Sequence, residues 1–290
     1  MKLNGIINLY KEKNITSFKA VRSIKRILGV DKIGHTGTLD PLAQGVLPIC
    51  VGKATRASAY IMESKKIYVC EMQFGYETDT LDLEGEIVRT SINRDFSIKE
   101  IKEAVNTFIG SSKQKPPIYS AIKVNGKKLY EYARNNQDIE IEKRDIFIHD
   151  IEIIEKDKDK LKLKIECEKG TYIRSLCRDI GYKLNTFSTM TDLVRISTGK
   201  FNIDNAYRLK EIEDFFNKGK INEIIESAYK YINLKTIILN DENMKKYMMG
   251  QKIDYQEKSG EYLISGNNYV TIGIGYINSE GQLKSKKRLI

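Results

Sequence analysis

Two rhythms of apolar residues run along this chain. Gly5-Ile6-Ile7-Asn8-Leu9-Tyr10 reads as a short opening strand, after which Phe18, Val21, Ile24 and Leu28 recur at spacings of three and four. That spacing predicts a helix with those four residues as its buried face, Thr16 or Ser17 as its cap and Gly29 as its stop, leaving Lys19, Arg22, Lys25 and Arg26 to solvent or to a phosphate backbone. A further helical run spans 54–64. A period of two takes over at 67–74, where Tyr68, Cys70, Met72 and Phe74 share one face and Glu71 and Gln73 the other. An inward strand tyrosine of this kind is ordinarily core, with its hydroxyl satisfied locally. A helix is expected over 98–109, ending at Gly110, and strands over 145–154 and 161–167, the second setting Leu161, Leu163, Ile165 and Cys167 against Lys162, Lys164 and Glu166. Beyond Gly170, Ile173, Leu176, Cys177, Ile180 and Leu184 make a helical core stripe that starts Arg174 near its buried flank, where an arginine wants a carboxylate partner. Two helical runs follow, at about 208–217 and 221–231. From Ile232 the pattern changes to short strands with turns at Ser259-Gly260, Gly266-Asn267-Asn268 and Asn278-Ser279-Glu280-Gly281.

Length agrees with that change of rhythm: 290 residues suit one large and one small domain, placed at 1–231 and 232–290. Lys and Arg total 49 against 39 Asp and Glu, a formal net charge of +10. Such an excess points to a polyanionic partner, most simply nucleic acid, although a lysine-heavy composition is a footprint and not a site. Cys50, Cys70, Cys167 and Cys177 form no C-x-x-C pair and lie in apolar or strand-like runs, so they read as buried free thiols of a reducing compartment. No zinc cluster is expected, because His35 and His149 are the only histidines and lie far from any cysteine pair. The start of the chain lacks the apolar run of a signal peptide and no stretch is long enough to span a bilayer, so a cytoplasmic protein without membrane contact is expected. The acidic run 77–86 fails the spacing of a calcium loop and reads as a polar hairpin.

The candidate chemistry is concentrated in Gly34-His35-Thr36-Gly37-Thr38-Leu39-Asp40-Pro41-Leu42-Ala43-Gln44-Gly45-Val46-Leu47-Pro48, continuing to Gly52-Lys53-Ala54-Thr55-Arg56. One carboxylate, Asp40, stands there among Leu39, Leu42, Val46 and Leu47, so it needs a cation or a chemical role. An Asp-Pro pair by itself is most often a turn initiator whose side chain bonds nearby backbone N–H groups. A second distinctive run, 114–134, interleaves Lys115, Lys123, Lys127, Lys128 and Arg134 with Tyr119, Tyr130 and Tyr132 around an Asn125-Gly126 turn. Basic residues among aromatics suit looped or single-stranded RNA; an ordinary hairpin and helix with a solvated basic face has the same composition.

Taken whole, the central stretch closely resembles the signature of the TruB family of pseudouridine synthases, G-H-T-G-T-L-D-P-x-A-x-G-V-L, whose aspartate is catalytic. The resemblance extends over residues 5 to 210. It implies an α+β pseudouridine synthase fold, with a mixed, mainly antiparallel sheet flanked by helices, an RNA-gripping insertion at about 113–143 and a small C-terminal β-rich, PUA-like domain. The implied reaction isomerises uridine-55 in the T loop of tRNA, without metal or other cofactor and without an obligatory protein partner, by a chain expected to be a monomer. Asp40 would be nucleophile or base, Arg174 its partner, Tyr68 and Leu193 the two sides of a sandwich on the flipped uracil, Tyr172 a positioning ring, and His35 the occupant of the vacated stack or the holder of a neighbouring nucleotide. Lys53, Lys123 and Arg134 would contact RNA. Two departures stand out: the Pro and Gly of the family's D-K-P-x-G opening are missing from Tyr10–Ser17, and Val194 replaces the first of two basic residues that often follow the leucine. A non-catalytic RNA-binding or tRNA-folding protein on the same scaffold is the alternative. A glycosidic hydrolase would want a second carboxylate, and the central stretch has none.

Overall fold

The computed structural model describes residues 3–289. β1 (Gly5–Lys11) opens the chain and α1 (Ser17–Leu28) follows, capped by Thr16, whose hydroxyl accepts from Lys19 N–H, and stopped by Gly29 in the left-handed conformation at φ 61°. β2 (Ile33–His35) and β3 (Gln44–Val51) flank the Asp40 loop, and a 3₁₀ turn (Gly52–Ala57) with α2 (Ser58–Met62) leads into β4 (Lys66–Phe74). A hairpin of β5 (Tyr76–Thr78) and β6 (Ile87–Thr90) precedes α3 (Ile98–Asn106), which begins with a Ser97–Glu100 capping box. Then come β7 (Gly110–Gln114), the small hairpin β8 (Lys123–Val124) and β9 (Lys127–Lys128), α4 (Leu129–Arg134), β10 (Arg144–Asp157), β11 (Lys160–Cys167), α5 (Ile173–Lys183), β12 (Ser188–Thr198), β13 (Phe201–Asn202) and α6 (Leu209–Asn217).

Nine of these strands form one sheet in the order β1-β3-β12-β4-β11-β10-β7, with β2 added to β3 and β13 to β12. Every pairing in it is antiparallel except β3 with β12, which run parallel through Val194↔Gln44 and Arg195↔Gly45. That exception matters, because it sets the end of the Asp40 loop beside the segment that carries Leu193 and Arg195. β4 alternates as its sequence requires: Tyr68, Cys70, Met72 and Phe74 are buried in a core shared with Ile24 of α1 and Leu176 of α5. All four cysteines are free and buried.

Residues 232–289 contain β14 (Thr236–Leu239), α7 (Asp241–Met248), β15 (Ile253–Asp254), β16 (Gly260–Gly266), β17 (Thr271–Ile277) and β18 (Gln282–Arg288). Their sheet, ordered β14-β16-β17-β18-β15, closes over its own apolar cluster, which includes Tyr247, Ile264 and Leu283. A second cluster joins it to the large sheet, with Ile6, Val46, Ala57 and Phe201 packed among Leu263, Ile274 and Leu289. Among the described residues no helix is long and apolar enough to cross a membrane.

Four expectations are corrected. Phe18, assigned to the core face of α1, is 68 % exposed; Ser17 and Ala20 complete the buried stripe instead. The run 221–231 is not a helix but two 3₁₀ turns, Ile221–Glu223 and Ala228–Tyr231, because Ile6 takes part in a backbone bridge with Glu226 there. α3 ends at Asn106, three residues before the expected stop. α7 had no signal of its own: Tyr247 is its one fully buried residue, so it shows no apolar period.

Candidate active site

The loop that carries Asp40 is fastened at both ends. Ser17 Oγ donates to Leu39 O at 2.8 Å and accepts from Leu39 N at 2.9 Å, tying the first turn of α1 to the residue before the aspartate. On the far side Lys11 Nζ donates to Ile15 O (2.7 Å), Glu12 O (3.1 Å) and Pro41 O (3.3 Å), while Asn14 N–H also donates to Pro41 O at 2.9 Å. Gly45 closes the loop at φ 105°, and a β-carbon there would lie 2.3 Å from the Arg195 carbonyl oxygen, so no other residue fits. Held this way, the Asp40 side chain keeps about a third of its surface open (33 %).

Arg174, near the start of α5, is buried at 4 % exposure and brings its guanidinium to Asp40. Nε lies 2.9 Å from Asp40 Oδ2, with its N–H not aligned on the oxygen, so the contact is an ion pair more than a directed hydrogen bond. Nη1 donates to Thr80 O at 2.8 Å and Nη2 to Tyr119 O at 3.0 Å, and Nη1 is 3.5 Å from Asp82 Oδ2. Asp82 is itself 2 % exposed; its Oδ1 accepts from Thr80 Oγ at 2.6 Å and from Glu84 N at 3.0 Å. The fork is therefore fixed by two carbonyls and a second carboxylate. The sequence reading missed Asp82 because it treated the whole acidic run 77–86 as solvated. Glu77 and Asp82 are in fact buried, and only their partners distant in the chain reveal it.

Lys11 was also missed, although it belongs to the opening segment in which the family's lysine stands. It is fully buried, and burial brings its pKa down to about 8, with Asp40 and Glu84 pulling it back up and Arg195 pushing it down. Burial likewise raises the carboxyl of Glu84, reinforced by the negative charges of Asp82 and Asp40.

Tyr68 of β4 lies opposite Arg195 of β12 in the antiparallel register, and Leu193 lies opposite Cys70; both Tyr68 and Leu193 are buried. Burial raises the Tyr68 hydroxyl pKa, while the Arg195 guanidinium opposes the shift. Arg195 is 1 % exposed, and donates from Nε to Val46 O (2.7 Å) and from Nη2 to Gly37 O (3.1 Å). The one remaining basic residue after Leu193 thus braces the Asp40 loop from inside. His35 ends β2 half-buried; burial first and Arg195 second lower its pKa, and its Nδ1 has no partner among the described residues. Tyr172 immediately precedes α5, where the Gln114 amide grips its backbone, accepting from Tyr172 N at 2.9 Å and donating to Tyr172 O at 3.1 Å. Burial raises its hydroxyl pKa, and the negative charge of Asp40 adds to the shift while Arg174 opposes it.

The other predicted residues lie apart. Lys53 is exposed in the 3₁₀ turn beyond β3, a strand that runs about 23 Å from Gln44 to Val51 at ~3.3 Å per residue, on the side where Arg56 donates to Arg288 O. Lys123 and Arg134 are exposed on the segment between β7 and β10. That segment touches the site through Tyr119, whose carbonyl binds Arg174 and whose hydroxyl donates to Asp79 at 3.1 Å. Its hairpin turns through Asn125 and Gly126 at φ 50° and 83°, and Arg134 and Lys128 lie 5.4 and 5.3 Å from the centre of the Tyr130 ring.

With this geometry in view, the comparisons with known proteins agree. The family profile described as TruB family pseudouridylate synthase (N terminal domain) matches residues 25–173, and that of the tRNA pseudouridylate synthase B C-terminal domain matches 174–243. The chain is 41 % identical to tRNA pseudouridine synthase B of Clostridium kluyveri over 99 % of this chain and 100 % of that protein. It is 39 % identical to the protein of the same name from Caldanaerobacter subterraneus subsp. tengcongensis over the full length of both. Among solved structures, it superposes on a chain of an H/ACA RNP bound to a substrate RNA with a TM-score of 0.75 at 23 % identity, covering 99 % of this chain and 85 % of that one, and on a chain of the archaeal Nop10-Cbf5 complex with 0.74, covering 100 % and 87 %. Those two likenesses concern the fold, an α+β architecture with a β-rich C-terminal domain. The chain belongs to the TruB family of pseudouridine synthases.

Proposed function

We propose that this chain isomerises uridine-55 in the T loop of tRNA to pseudouridine, with Asp40 as the group that acts on the nucleotide. The reaction breaks N1–C1′, turns the uracil while it stays bound, forms C5–C1′, and gives up the C5 proton while N1 takes one, so nothing is oxidised or transferred to a second molecule. The observation that carries the reading is a carboxylate one-third open to solvent, on a loop bolted at both ends, whose counter-charge Arg174 is itself held by two backbone carbonyls. Such an aspartate is placed to meet a ligand and prevented from collapsing onto another partner. Extruding the target base costs a few kcal/mol of unstacking. Tyr68 and Leu193, on adjacent strands, then bracket the uracil while Tyr172 positions it and His35, kept neutral, fills the gap left in the loop. Lys123 and Arg134 grip the stem. Residues 232–290 act as a small RNA-binding domain, and the protein works as a monomer.

Asp40→Asn decides the central claim, because the amide keeps the size and turn-forming ability of the acid and removes its charge. Tritium release from C5-labelled uridine in a T stem-loop should fall by several orders of magnitude, with RNA affinity and Tm nearly unchanged. Turnover kept within a few-fold would end the assignment of Asp40.

A further inference from the structure

Phe18 sits in the first turn of α1 with 68 % of its surface exposed, although its spacing in the sequence belongs to the core stripe. Its place is constrained. Ser17, the residue before it, is clasped to Leu39, the residue before Asp40, so the Phe18 backbone lies within roughly 14 Å of the Asp40 backbone. The adjoining flank of the helix is locked into the core through Ala20, Val21, Ile24 and Leu28, so the helix cannot roll to bury Phe18.

From this ring one stripe continues along the helix through Arg22 to Lys25 and Arg26, at i+4, i+7 and i+8. The Arg22 guanidinium carbon lies 5.8 Å from the centre of the Phe18 ring. α1 contains no acidic residue, and among the described residues none of these three cations has a carboxylate within 4.0 Å. A flat apolar face backed by a guanidinium and followed by unpaired cations fits an unstacked base with its phosphates. Paired stem bases already have both faces covered. A protein partner would want a broader apolar patch than one ring.

We infer that Phe18 and Arg22 form a stacking site for an unpaired RNA base beside the target uridine, with Lys25 and Arg26 receiving the adjoining phosphates. This rests on the RNA-modifying reading above. The test measures binding and turnover of a T stem-loop together, on the full chain. With the parent active, Phe18→Ala should weaken binding about tenfold, within the roughly 5- to 150-fold range of a lost stacked base, and raise KM with kcat and Tm little changed. Phe18→Trp should restore affinity. Replacing the loop nucleotides one at a time by abasic sites should reveal one position where the parent loses affinity and Phe18→Ala loses nothing more. Unchanged affinity in Phe18→Ala, or equal losses in the Ala and Trp variants on every RNA, overturns the site while leaving the functional reading standing. A parent that neither binds nor converts the RNA overturns both.

Discussion

Two groups of cations in this protein do opposite things with the same charge. Around Asp40, Lys11, Arg174 and Arg195 are almost entirely buried, at 0, 4 and 1 % exposure, and each is bound to two or three backbone carbonyls. On the segment between β7 and β10, Lys123, Lys127 and Arg134 are exposed, and the last two rest against tyrosine rings. A desolvated cation with fixed acceptors has no freedom to follow a ligand; it sets the position of the loop and of Asp40. An exposed cation in salt solution carries counterions that it releases to a phosphate backbone, so it contributes affinity without defining geometry. The net charge of +10 counts both kinds alike. Burial separates them.

The comparison is sharpest at Arg174. Arg174→Lys keeps the charge and loses the planar fork that reaches Asp40, Thr80, Tyr119 and Asp82 together, so turnover of a T stem-loop should fall about 100-fold or more while RNA affinity holds. Unchanged turnover would reduce the buried group to a source of charge and break the distinction.

A smaller effect follows from Lys11. Its folded pKa of about 8 lies below the ordinary lysine value of 10.5, so between those pH values the unfolded chain binds more protons than the folded one. Stability contributed through this group therefore rises with pH across that window, and the penalty of burying its charge is present in full below pH 8. Denaturant unfolding of the parent and of Lys11→Met should show a stability difference that grows in favour of the parent from pH 8 to pH 10.5. A difference flat across the window would mean that Lys11 is not a desolvated ammonium.

The smallest effects belong to the exposed set. Lys123→Gln and Arg134→Gln should each weaken RNA binding modestly and lower the slope of log K against log salt by about 1, leaving kcat alone. A fall in kcat would place these residues with the buried group. The basic C-terminal run needs a gentler probe than removal: Lys284–Arg288 lies in β18, Lys286 pairs with Glu261, and Lys287 donates to Arg56 O, so deletion strips a strand from its sheet. Lys284→Gln tests its charge without that damage.

The sequence alone determined most of the local elements and the identity of the central loop. The period of two in β4, the Thr16 cap and Gly29 stop of α1, the Asn125-Gly126 turn and the run from Gly34 to Pro48 all express interactions between residues a few positions apart, which order in the chain fixes directly. Tertiary structure decided which charges are buried and what they hold. Arg195 bonds Val46 and Gly37 across 149 and 158 residues, and Arg174 bonds Thr80 across 94, so no window of sequence contains both partners. The same cause hid Asp82 in an acidic run, put Arg195 under the loop and left Phe18 in solvent. A helical or strand period says which side of an element is apolar; only the packing of elements distant in the chain fixes how much of that side is covered, and with it the dielectric surroundings in which each charge acts.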